Sequence, residues 1–172
     1  MTISYAFSEF ETIKYIPRRQ LYKAFQRACD RWSKVIPVTF VEAKTIESAN
    51  ITIRFIALWC KGESLAYCYM CGKQAGVNFD ATTKWTVKQS LFSDTFDSNT
   101  YNFESTAVHE IGHLLGMRHS PNMNSVMYRT SLGKMNLSRE DVEKIREPIH
   151  LSPVPTVSPA TSTAEMRYMV MM

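Results

Sequence analysis

Between the prolines at 17 and 37 the apolar residues fall three and four apart, at Leu21, Phe25, Ala28, Trp32 and Val35. That spacing makes one buried stripe on a helix and leaves Arg18, Lys23, Arg27 and Arg31 on a solvated face. Pro17 suits a helix start and Pro37 blocks continuation, so the prolines bound the element. Elsewhere the period changes to two. Residues 2–7, 38–41 and 51–56 alternate or are rich in β-branched residues, and they predict strands. Residues 60–76 contain Gly62, Gly72 and Gly76 and predict a loop with one extended piece over 64–68. Val77 to Asp80 reads as a further strand ahead of Trp85. From about Asn102 a second helix sends Phe103, Ala107, Val108, Ile111, Leu114 and Leu115 to the core. Ser138 with Asp141 three residues later resembles a capping box and starts a third helix, with Val142 and Ile145 inward and Pro148 at its end. Strand, helix, two strands, more strands and then helices predict an α+β domain with a mixed sheet backed by the first helix.

Composition narrows the class. A chain of 172 residues with 45% hydrophobic and 21% charged content suits one globular domain with a sizeable core. The domain is expected over 1–150, because 151–172 opens with a Ser/Thr/Pro-rich run that reads as a flexible tail and closes on a short Met-rich segment. A net charge of +4 is too small and too dispersed to indicate a nucleic-acid partner. No apolar run reaches 18 residues, so no membrane span is expected, and a monomer is. Met1 to Tyr5 lack a secretory signal profile, which leaves open an intracellular protein or a trimmed mature domain. Asn50-Ile51-Thr52 and Asn136-Leu137-Ser138 are glycosylation sequons, a weak signal by themselves.

The four cysteines allow several readings. Cys68-Tyr69-Met70-Cys71 is a single C-x-x-C, open to a metal site, a redox pair or reduced thiols. A disulfide from Cys60 to Cys68 or Cys71 is the expectation, with Cys29 a buried helix residue.

Candidate chemistry concentrates in residues 109–119, His-Glu-Ile-Gly-His-Leu-Leu-Gly-Met-Arg-His. His109 and His113 are four apart, so on a helix both imidazoles lie on one face and can grip one zinc ion. Glu110 follows directly and leans beside the ion, where it can take a proton from water. Gly116 permits the positive φ that ends a helix, so the chain can turn and bring His119 in as a third ligand. Three protein ligands leave one position open, the catalytic rather than the structural arrangement. A His pair alone would more often be incidental. Five specified positions coincide here, which chance supplies on the order of once in ten million starting positions.

The H-E-x-x-H-x-x-G-x-x-H pattern followed by Ser120, with Ser125-Val126-Met127-Tyr128 downstream, resembles the catalytic domain of the matrixins, the matrix metalloproteinases of the metzincin clan. Weaker similarities run through Trp32 to Phe40, Asn78-Phe79-Asp80 before Lys84-Trp85-Thr86, and Leu137-Ser138 before Asp141-Val142. The resemblance covers roughly 2–150 and implies a twisted, mixed five-stranded sheet with three helices and a cleft. It implies Met127 in a Met-turn beneath the ligands, and protein or peptide substrate extended along Leu65 and Ala66. Tyr128 and the residues to 136 would wall the specificity pocket, with Arg129 where the family usually has Pro. It also implies an extracellular, secreted protein.

Departures from the family qualify this. Matrixins hold a structural zinc and calcium in the region matching 57–83, but Tyr67 and Asn78 stand where His is expected. The loop at 58–62 looks shortened, and of the calcium-type acids only Asp80 remains. One catalytic zinc is therefore expected, without structural zinc or calcium, and with cysteines bracing the loop. No inhibitory pro-segment or haemopexin-like domain is visible. Two rivals to a protease remain: a non-catalytic module that keeps zinc as a scaffold, and a zinc hydrolase acting on other bonds. Cleavage of casein or a quenched peptide, blocked by a hydroxamate or a chelator, separates the three.

Overall fold

The computed structural model describes residues 1–58, 64–71, 74–88, 99–130 and 133–147. Strand β1 (Thr2–Phe7) leads into helix α1 (Arg18–Ser33), then β2 (Thr39–Glu42) and, past a short 3₁₀ turn at Ile46–Ser48, β3 (Ile51–Ile56). Strands β4 (Ala66–Cys71), β5 (Gln74–Asp80), β6 (Lys84–Thr86) and β7 (Thr100–Asn102) follow, then helices α2 (Phe103–Leu114) and α3 (Arg139–Arg146). The main sheet has the order β2-β1-β3-β5-β4. The pairs β1–β2, β1–β3 and β3–β5 are parallel, and only the edge strand β4 runs antiparallel to its neighbour. This is the mixed five-stranded sheet with three helices that the family resemblance implies.

Differences lie at element ends. β5 begins three residues before the predicted strand, and β4 runs over 66–71 rather than 64–68, because the two strands complete each other's ladder. β6 and β7 form a separate parallel pair, invisible to a local pattern because their partners are 16 positions apart. α1 ends at Ser33, so Val35 packs from the following turn rather than from the helix.

α1 buries Leu21, Ala24, Phe25, Ala28, Cys29 and Trp32, close to the predicted stripe. Its basic face is a correction. Arg27 and Arg31 are not a free solvated surface: Arg27 Nε lies 2.7 Å from Glu104 Oε2, and an Arg31 terminal nitrogen lies 2.7 Å from Glu104 Oε1. Glu104 is 0% exposed, at the first turn of α2. A fully buried carboxylate requires paired cations and hydrogen bonds, and these two arginines supply both. Trp32 Nε1 also donates to Val108 O at 2.9 Å, tying α1 to the middle of α2.

Residues Phe103 to Gly112 of α2 are all buried, so this helix has no solvated face in its first ten positions. The Phe103 ring sits 4.8 Å from that of Phe79, which in turn meets Phe55 at 5.4 Å and Trp85 at 5.7 Å. These spacings suit aromatic contact and seat the start of α2 on the sheet.

Candidate metal centre

Asn102 caps α2 by accepting from Ser105 N, and the chain then runs helical through the motif. The helix ends where Gly116 takes φ 93°, as the sequence predicts. Gly116 N donates to His113 O and Met117 N to Gly112 O, each at 2.9 Å. This paired closure satisfies two of the last carbonyls and reverses the chain. The reversal brings Met117 O within 2.8 Å of His113 Nδ1 and places His119 opposite both helix histidines.

The three imidazoles converge through one atom each. Nε2 of His109 and of His113 lie 3.0 Å apart, and His119 Nε2 lies 3.3 and 3.2 Å from them. Four donors at about 2.0–2.1 Å around a tetrahedral zinc would stand about 3.3–3.4 Å from one another. The outer nitrogens leave the inner ones free to act as ligands. His109 Nδ1 donates to Val126 O at 2.6 Å and His113 Nδ1 to Met117 O, and a carbonyl can only accept. The proton of each neutral ring is thus on Nδ1, and both Nε2 atoms present lone pairs to the same point. Lone pairs 3.0 Å apart repel unless a cation lies between them, so the donor set fits a metal ion. Burial, then the neighbouring histidines, push the His109 pKa down to about 3. Burial also lowers that of His113 to about 4, and the rings stay neutral and able to bind metal at ordinary pH. His119, also lowered by burial, feels Arg129 in addition.

Met127 is fully buried. A Cβ on Gly112 would meet Met127 Sδ at 2.4 Å and the Trp32 ring at 3.0 Å, so only glycine lets the turn and α1 close on α2 here. Asp141, 1% exposed, accepts from Val126 N at 3.0 Å, from Ser138 N at 2.8 Å and from the Ser125 hydroxyl. The predicted capping residue therefore has a second role. It fixes the Val126 peptide, whose carbonyl orients His109.

Glu110 points from α2 toward β4 and is 0% exposed. Burial raises its pKa to about 7, opposed by a hydrogen bond from Cys68. Cys68 Sγ lies 2.8 Å from Glu110 Oε2, so this cysteine is free and buried. That removes it as a disulfide partner for Cys60. Cys60, the side chain of Cys71, the loop at 59–63 and residues 151–172 lie outside the described residues. The adjacency of Cys68 and Glu110 had no local signal, because 42 positions separate them and only the packing of α2 on β4 joins them.

Of the other residues singled out in the sequence, Leu65 and Ala66 lie at the start of the edge strand and Tyr128 is half-buried after the turn. Lys134 Nζ stands 5.4 Å above the centre of the Tyr128 ring.

The family profile described as matrixin matches residues 1–148. The chain belongs to the matrixin family. This matrixin domain is 33% identical over 152 residues to Metalloendoproteinase 1-MMP of Arabidopsis thaliana, covering 82% of this chain and 41% of that protein. Stromelysin-2 of Rattus norvegicus is 32% identical over 171 residues, covering 86% of this chain and 34% of that protein. Interstitial collagenase of Sus scrofa is 29% identical over 143 residues, covering 76% and 28%. The matched stretch spans less than half the length of these relatives. Zinc is the metal of the matrixin family, and His109, His113 and His119 are where this domain can hold it.

Proposed function

We propose that this domain is a zinc-dependent endopeptidase that hydrolyses internal peptide bonds of protein substrates. The observation that carries the reading is the convergence of three Nε2 atoms beside a buried glutamate whose Oε1 has no hydrogen-bond partner among the described residues. Zinc, when bound, supplies a Lewis acid and lowers the pKa of its water toward ~7. His109, His113 and His119 would hold the ion through Nε2. Glu110 takes a proton from the attacking water as general base and delivers it to the amine that leaves. Its raised proton affinity matches a group that must both accept and release a proton near neutral pH. Met127 gives the ligands an apolar floor.

Substrate is placed along the free edge of β4, at Leu65 and Ala66, as an added strand. Leu65 O already accepts from Asp80 N, and Ala66 O accepts from the Ser64 hydroxyl at 2.9 Å. Ser64 must turn aside for a substrate amide to take its place. Tyr128 stands at the head of the wall of the specificity pocket.

One zinc per chain is proposed, with no structural zinc or calcium. Where the family has histidine, Asn78 Nδ2 donates to Tyr67 OH at 2.7 Å. Asp80 accepts from Leu58 N, Thr82 N and the hydroxyls of Thr82 and Thr83. A firm stoichiometry of two metals in the purified, zinc-saturated protein would refute this. No helix among the described residues is long and apolar enough to cross a membrane, and kinship with matrixins supports an extracellular setting.

The direct test is Glu110→Ala. Zinc content should stay at one per chain while cleavage of a quenched peptide falls on the order of 10²–10⁴-fold. Unchanged turnover removes Glu110 as base.

A further inference from the structure

Cys68 lies in β4 opposite Val77, with its side chain on the sheet face that α2 covers. Its Sγ is 2.8 Å from Glu110 Oε2 and 3.1 Å from the Glu110 main-chain oxygen. A carbonyl and a carboxylate both accept, so the thiol is the donor. Burial, and then the charge of Glu110, keep that thiol protonated. No other hydrogen bond to the Glu110 carboxylate occurs among the described residues, and Oε1 is buried without a partner. The terminal torsion of a glutamate is broad and roughly two-fold, so sequence alone leaves the carboxylate plane undefined. The thiol supplies the missing constraint.

We infer that Cys68 is a positioning residue for Glu110, holding Oε2 by its thiol so that Oε1 is presented to the water that Glu110 deprotonates. The inference rests on the reading of Glu110 as general base. Preorganisation explains the expected gain, since an anchored base needs no reorientation when the proton moves. It also gives the cysteine a use that neither metal ligation nor a disulfide does.

The experiment compares wild type, Cys68→Ala and Cys68→Ser as zinc-loaded full chains, with zinc content, kcat and KM measured on one quenched peptide. Loss of one donor to a charged acceptor should lower kcat about tenfold in Cys68→Ala, with KM and zinc content unchanged. Cys68→Ser, which keeps a donor, should recover most of that loss. A second readout does not depend on turnover. The infrared S–H stretch that disappears in Cys68→Ala should lie below the free-thiol frequency in wild type and move toward it in Glu110→Ala.

Unchanged kcat in Cys68→Ala, with wild type active, overturns the inference. So does a loss shared by Ala and Ser together with lost zinc, which marks a purely structural role. An S–H band indifferent to Glu110→Ala overturns it independently of activity. An inactive but zinc-loaded wild type removes the protease reading itself, while the infrared comparison still decides whether the thiol grips the carboxylate.

Discussion

The turn beyond α2 and the outer face of β4 and β5 both gather polar side chains at buried or half-buried positions, but their hydrogen bonds are arranged oppositely. At the first, carbonyls take the outer ring nitrogens of His109 and His113, and the inner nitrogens face one another. That arrangement is incomplete without a cation. At the second, four donors converge on Asp80, and Tyr67 and Asn78 bond each other. Burial pushes the Asp80 pKa up, but hydrogen bonds from Thr82 and Thr83 outweigh it and leave the carboxyl lowered. That arrangement is complete as it stands, apart from Asn78 Oδ1, which has no partner among the described residues. At Asp80 donors converge on a carboxylate, whereas at His109 and His113 lone pairs converge on one another, a set that a cation would satisfy.

Substitutions on each side should therefore fail in different ways. The largest effect belongs to His113→Ala, which removes a proposed ligand outright. Zinc affinity should fall by more than the 10–100-fold typical of lost supporting contacts, and peptide cleavage on the order of 10³-fold. Zinc titration monitored by a competing chelator measures it, and retained tight binding breaks the comparison. Next comes Asp141→Ala, which strips the Val126 peptide and the Ser125 hydroxyl of a buried acceptor. It should lower stability by about 3 kcal/mol and zinc affinity roughly 10–100-fold, because the carbonyl that orients His109 is loosened. Denaturant unfolding of the zinc-free protein isolates the first effect from the second.

On the other side, Asp80→Ala leaves the N–H groups of Leu58 and Thr82 without their acceptor. A cost of about 1–3 kcal/mol in unfolding free energy is expected, with zinc stoichiometry and affinity unchanged. A drop in bound metal on this substitution would show that Asp80 belongs to an ion site after all. The smallest effect is a pH dependence. Burial raises Glu110 to about 7, so the base is progressively protonated, and turnover lost, as pH falls through that value. Bound zinc favours the charged carboxylate, so the midpoint of the acid limb should fall below 7. A midpoint above 7 in a kcat profile contradicts this sign.

Several parts of the site were legible before any coordinates. His109, Glu110, His113, Gly116 and His119 are close in sequence, and helical geometry plus one positive-φ glycine converts their spacing into convergence. The α1 stripe and the strands at 2–7 and 51–56 were readable for the same reason, since each is a local period. Other parts were not. Arg27 and Arg31 look like surface charge until Glu104 arrives from 77 and 73 residues away. Gly112 is an unmarked residue of the motif until Met127 and Trp32 close on it.

Sequence by itself determined the candidate ligands, the candidate base and the family resemblance, because the chemistry is written within eleven consecutive residues on one helix and its turn. Tertiary structure alone decided how those residues are held. Val126 O and Met117 O select the ring protons, Asp141 secures the Val126 peptide, and Cys68 reaches Glu110 from the sheet face that α2 covers. Only chain closure brings such groups together, and hydrogen-bond partners distant in sequence leave no periodic trace.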